Sequence, residues 1–124
     1  MAKIFLDTNY FIDALHRKPE KEILESLENN IIYVSPLSVH IYCYVFKINI
    51  QDILIIAQIE KFQLVDFSND IVIRSLQGPT ADFENNVQLH SAANVECDIF
   101  LTGDRKILGM KFFGKVKIAN SNLA

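Results

Sequence analysis

The sequence predicts a three-layer α/β/α domain with a central parallel sheet of four to five strands. Three observations lead there. The strand candidates are short, nearly uninterrupted apolar runs, as expected of strands covered on both faces. Each is separated from the next by a stretch of helical periodicity. No hairpin turn joins consecutive strands, so the connections must be crossovers. With 124 residues, half of them apolar and only 22% charged, the chain fits a single domain, residues 1–124, with a proper core. Four Gly and three Pro argue against a collagenous or low-complexity chain.

Lys3-Ile4-Phe5-Leu6 is the first apolar run, and Asp7-Thr8-Asn9 turns it into a helix over Asn9 to Leu15. Pro19 opens a second helix, with Glu20 and Glu22 at the positive end of its dipole and Ile23, Leu24 and Leu27 on one face. Ile31-Ile32-Tyr33-Val34 is the second strand. Ser35-Pro36 starts a third helix carrying Val39 to Phe46, apolar around most of its circumference and so central to the core or partly at a dimer interface. A helix over Ile50 to Phe62 leads into a strand over Gln63 to Phe67. Asp70 to Leu76 is helical, with Ile71, Val72 and Leu76 inward. Gly78-Pro79 stops it. From Asp82 the spacing of Phe83, Val87, Leu89 and Ala92 is helical again. Asp98 to Thr102 is the fourth strand, Gly103-Asp104 turns into a short helix through Leu108, and Lys115 to Ile118 closes the sheet with an edge-like alternation.

Composition narrows the function classes. Asp7 stands where a secretory leader needs its apolar core, so a cytoplasmic protein is expected. Asn29 to Phe46 carries no Asp, Glu, Lys or Arg, but Ser35-Pro36 divides it. A strand followed by a helix fits this stretch better than a membrane span. Cys43 and Cys97 lie far apart with no C-x-x-C, which disfavours a zinc site or a disulfide framework. The net charge of −3 conceals an asymmetry. Residues 1–104 hold 7 basic and all 15 acidic residues, whereas 105–124 hold Arg105, Lys106, Lys111, Lys115 and Lys117 and no acid. Such a cationic tail is either a solvated surface or a means of attracting phosphate beside an acidic site.

In an open α/β sheet, ligands bind beyond the carboxyl ends of the strands. Asp7 follows the first strand and Asp104 the fourth, while Asp82-Phe83-Glu84-Asn85-Asn86 begins a helix between them. These segments converge if the first and fourth strands are neighbours. A weakly basic, oxygen-rich cluster of this kind suits Mg²⁺ or Mn²⁺ and hydrolysis at phosphorus. Each acid also has a plainer explanation: Asp7, Asp82 and Asp104 are all at helix N-cap positions, and Glu84 is favoured by the dipole in a first turn. No G-x-G-x-x-G, P-loop or G-x-S-x-G occurs.

Phe5 to Asp13, Asp82 to Ala92 and Ile99-Phe100-Leu101-Thr102-Gly103-Asp104, in this order, resemble PIN-domain proteins over nearly the whole chain, Ser35-Pro36-Leu37-Ser38 included. The resemblance implies a Mg²⁺- or Mn²⁺-dependent ribonuclease, often the toxin of a bacterial toxin–antitoxin pair of the VapC kind, acting on RNA, dimeric, and inhibited by a small antitoxin. It implies Asp7 as the first metal ligand, Asn9 as a support of the loop, Thr102 as an orienting hydrogen-bond partner and Asp104 as the completing carboxylate.

Two positions depart from the pattern. The family's glutamate after the second strand aligns with Ile41, and the fourth residue of its Asp-Phe-Glu-Asp run is Asn85. Asp7 and Asp104 remain, Asn85 offers a neutral carbonyl oxygen, and Asp82 and Glu84 are reserves. Weaker metal binding is expected from the lower ligand charge. His40 is a candidate for the missing ligand, His90 a weaker one, although a packed histidine is the commoner case. Tyr33, Tyr42, Tyr44 and Phe46 suit core or interface better than a base-stacking platform. Arg105, Lys106 and Lys111 are candidate phosphate contacts. The rival to a nuclease is a catalytically inactive PIN-fold protein that binds RNA or protein. An aspartyl phosphatase with Asp7 as nucleophile is the weakest alternative, since Asn9 stands where its second acid belongs.

Overall fold

The alternation of β1 (Lys3–Leu6) divides the molecule into two cores, because successive strand side chains point to opposite faces. Ile4 and Leu6 enter one core with Phe11 and Leu15 of α1 (Thr8–Leu15) and Tyr42 of α2 (Pro36–Val45). Phe5 enters the other, stacked on Phe100 at 5.4 Å between ring centroids. The structure, a computed structural model, describes residues 1–15, 28–49, 51 and 53–120. The helix expected from Pro19 lies outside the described residues.

β2 (Ile31–Val34) and β4 (Ile99–Leu101) flank β1 in parallel, with Leu6 level with Leu101. α3 (Ile53–Ile59) lies on the face of α1 and α2. α4 (Asn69–Gln77) and α5 (Phe83–Asn94) cover the other face, joined there by Ile107 of α6 (Arg105–Leu108). With β3 (Gln63–Leu64), β5 (Phe112–Phe113) and β6 (Val116–Ala119), the sheet order is β3-β2-β1-β4-β6-β5. The chain winds outward from β1 through β2 to β3, then crosses to β4 on the other side of β1. The switch point of the sheet is therefore the gap between β1 and β4.

The three layers are as expected, but among the described residues the sheet has six strands rather than four to five, and it is not wholly parallel. β5 pairs antiparallel with β6 across a tight turn. Gly114 takes φ 60° there, a conformation that favours glycine at the first central position of such a hairpin. β6 is consequently an inner strand between β4 and β5, not an edge. Elements on the β3 side are shorter than their apolar runs suggest, with α3 beginning at Ile53 and β3 ending at Leu64. In α4 the inward stripe is Ile71 and Ser75, at i and i+4. Leu76, expected inside, is 69% exposed. It follows Ser75 by one residue and so is rotated about 140° around the helix from Ile71. Tyr42 of the aromatic set is core, whereas Tyr44 is 77% exposed. Cys43 and Cys97 are free thiols. Among the described residues no helix is long and apolar enough to cross a membrane.

Candidate active site

Asp7 leaves β1 at the switch point, where its N–H donates to the Leu101 carbonyl at 3.0 Å and so ties the ends of β1 and β4 together. Its side chain is 8% exposed, yet both oxygens are occupied. Oδ1 accepts the Tyr10 N–H at 2.9 Å, capping α1, and Oδ2 accepts the Thr102 hydroxyl at 2.6 Å. Burial pushes the Asp7 carboxyl above its ordinary value, while the Thr102 and Tyr10 hydrogen bonds oppose the shift and the charges of Glu84 and Asp104 add to it. The pairing of β1 with β4 sets the strand ends that carry Asp7 and Asp104 side by side, and Glu84 at the start of α5 is among the charges that raise the Asp7 carboxyl.

Thr102, 1% exposed, is the hinge of this arrangement. Its Oγ1 accepts the Asp104 N–H at 3.0 Å, so its own proton is directed to Asp7. Asp104 is exposed. Its Oδ1 accepts the N–H groups of Lys106 and Ile107 at 2.8 and 3.2 Å, which makes it the N-cap of α6 as well as a candidate ligand. Asp82 does the same for α5, accepting the Asn85 N–H at 3.3 Å through an exposed carboxylate. Asn85 is half-buried in the first turn beside Glu84, and Asn9 is exposed. In the turn around Asn9, the Thr8 N–H donates to Gln88 and the Tyr10 N–H to Asp7.

Sequence reasoning misses Gln88. It is 1% exposed, its Oε1 accepts the Thr8 N–H at 2.9 Å, and its Nε2 donates to Thr8 Oγ1 at 3.1 Å and to Glu84 Oε2 at 3.2 Å. The available signal is a polar residue between buried Val87 and Leu89, one helical turn after an acid. The neighbouring Asn86 is equally buried but faces the other way. Its amide holds the Ser75 and Thr80 carbonyls and the Thr80 N–H, securing the loop ahead of α5.

The remaining candidates separate. Arg105 and Lys106 are exposed directly beside Asp104 in α6, and Lys111 is exposed just beyond it. Lys117 pairs with Ile99 at the opening of β4, so the cationic tail is divided between the two ends of the sheet. Ile41 is half-buried on α2 and brings no charge. His40 is exposed and stacks on Tyr44, His90 engages the Gly78 carbonyl at 2.9 Å and contacts Phe113, and among the described residues neither belongs to a group of three metal-ligating side chains. A cleft of about 330 Å³ lined by Asp70, Arg74 and His90, and another of about 600 Å³ beside Cys97 and Lys115, both lie away from Asp7.

The donors around Asp7 are all oxygen, a set that suits Mg²⁺ or Mn²⁺ and not a thiophilic metal. Among the described residues, however, no three His, Cys, Asp or Glu side chains converge on a common point at ligand distance. Water and substrate phosphate oxygens would have to complete the shell of any ion held there.

A doubly wound α/β domain with acids gathered at its switch point is thus the class that fold and site define. The family model described as PIN domain matches residues 3–106, and the chain belongs to the PIN-domain family. Among solved structures, VapBC2 from Rickettsia felis, bound to a DNA fragment from its promoter, shares the fold at a TM-score of 0.65 and 15% identity, covering 94% of this chain and 97% of that one. FitAcB from Neisseria gonorrhoeae matches at a TM-score of 0.60 and 16% identity, over 94% and 96% of the respective chains. Comparison with curated protein sequences gave no match.

Proposed function

We propose that the chain is a Mg²⁺- or Mn²⁺-dependent endoribonuclease of the PIN class and the toxin of a type II toxin–antitoxin pair, working as a homodimer and restrained by a small antitoxin protein. The observation that carries this reading is the Asp7–Thr102–Asp104 arrangement at the switch point, with the Glu84 charge bearing on Asp7. Asp7 and Asp104 would hold the ion, Asn85 would contribute a neutral oxygen, and Asp82 and Glu84 stand in reserve, with water and phosphate oxygens completing the shell. When bound, the ion supplies positive charge that draws in a phosphodiester and offsets the negative charge developing at phosphorus. Thr102 keeps Asp7 in one orientation, and Arg105, Lys106 and Lys111 supply phosphate contacts on the rim. The likeness to VapBC2 and FitAcB supports the antitoxin partner.

A second reading is favoured by a specific observation. Ile41 and Asn85 stand at usually acidic places and no three ligands converge among the described residues, which supports the alternative of an inactive PIN-fold module that binds RNA or protein. A Mn²⁺ and Mg²⁺ titration by calorimetry, followed by cleavage of structured and single-stranded RNA, separates the two. Cleavage by the wild type and none by Asp7→Asn supports the nuclease. A wild type that neither binds metal nor cuts, beside an Asn85→Asp variant that gains metal affinity, establishes the inactive module.

A further inference from the structure

The buried amide of Gln88 is satisfied in a way that admits one orientation. The Thr8 N–H can only donate, so Oε1 must face it and Nε2 must face the other partners. One Nε2 hydrogen then goes to Thr8 Oγ1 and the other to the Glu84 carboxylate, its neighbour one turn back on α5. The chain of contacts continues from Thr8 Oγ1 to Ser38 Oγ at 2.8 Å, so that α1, α2 and α5 are tied together beneath the acids. Glu84 is half-buried on a side chain rich in rotamers, and without a partner those rotamers would carry the charge away from Asp7. Asn85, one residue on, has no charge to offer.

We propose that Gln88 is a positioning residue that holds the Glu84 carboxylate toward Asp7, so that Glu84 serves as the acid of α5 in place of the neutral Asn85. The inference rests on the metal-dependent reading above and adds to it which α5 side chain carries the charge and what keeps it there. A glutamine is required because one planar group must accept from a backbone N–H and donate to a carboxylate. Leucine would fill the same space and do neither.

The test has two arms on the full chain. In metal-free protein, NMR follows the two Gln88 side-chain amide protons, which should exchange slowly in the wild type; in Glu84→Ala the proton that faced Glu84 should move upfield while the one on Thr8 Oγ1 keeps its shift. In the second arm, Mn²⁺ affinity is measured by electron paramagnetic resonance for the wild type, Gln88→Leu, Glu84→Ala and the double variant. Gln88→Leu should weaken Mn²⁺ about tenfold, at the lower end of what partners of a ligand contribute, and should cost nothing further once Glu84 is alanine. An equal loss in both backgrounds, or no loss in a folded Gln88→Leu, overturns the proposal. So does an unprotected Gln88 amide, a result that stands even if the leucine variant fails to fold. If the wild type binds no Mn²⁺ while the amide is protected, the metal-dependent reading falls and Gln88 is reduced to a structural clamp, which also refutes its positioning role.

Discussion

Replacing Thr102 by valine removes one hydroxyl and almost no volume, which isolates the hydrogen bonds at the switch point. Two disappear: the 2.6 Å bond to Asp7 Oδ2 and the 3.0 Å bond from the Asp104 N–H. A bond to a buried charged acceptor contributes about 1.5–3 kcal/mol and a neutral one about 1 kcal/mol, so the variant should lose about 3 kcal/mol at neutral pH. The loss should depend on pH. The folded Asp7 carboxyl is raised above its ordinary 3.8, so the folded state holds this proton more tightly than the unfolded chain does. The stability this provides is complete below the unfolded value and disappears as pH rises through the folded one. Valine raises the folded value further, because it removes a bond that favours the carboxylate. The deficit of the variant should therefore be smallest in acid, about 1.5 kcal/mol. With rising pH it should grow by about 1.4 kcal/mol for every tenfold by which valine tightens the hold on the proton. Urea unfolding of both proteins in chelator, from about pH 3.5 to 7.5, measures the difference directly. A deficit independent of pH, or larger in acid, would refute the assignment of the Thr102 proton to Asp7.

Other consequences are as accessible. Asn86→Leu strands the Ser75 and Thr80 carbonyls and should cost about 2–4 kcal/mol, with the Thr80 amide exchanging at the rate of an open loop; retained protection there would contradict the role given to Asn86. The Cys97 thiol, buried and pushed up to about 12, should resist alkylation at about pH 8 until the protein unfolds, as mass spectrometry after a timed iodoacetamide pulse would reveal. Charge reversal at Arg105 and Lys106 should weaken RNA binding across sequences and flatten its salt dependence by about one unit of slope for each phosphate no longer neutralised. Reversal at Lys117, at the other end of the sheet, should leave both unchanged.

The parts of the fold legible in the sequence are those where one physical cause dominates. Ile31 to Val34 and Ile99 to Leu101 are uncharged apolar runs between helical segments, and both are inner strands of a doubly covered sheet. Asp7 and Asp104 follow from strand ends alone, once β4 lies beside β1. Pairing-dependent features are harder to see. Lys115 to Ile118 alternates like an edge, and only the short β5 makes it an inner strand. Hydrophobicity assigns Leu76 inward where helical angle decides, and buried Ser75 takes its place. Gln88 is invisible because its value lies in partners 4 and 80 residues away, and no local pattern carries the second. The five basic residues form one block in sequence, but the hairpin turns part of that block toward the opposite end of the sheet.

The shortness of the outer strands has a consequence for how copies or partners can associate. β3 and β5 are two residues each, and they are the sheet's margins among the described residues. A margin that short presents too few unpaired backbone groups to template a foreign strand, which is how natural sheets escape runaway edge-to-edge growth. A homodimer or antitoxin complex of the proposed kind would therefore be built from side-chain contacts rather than from an extended main-chain ladder, and its specificity would be open to change by single substitutions.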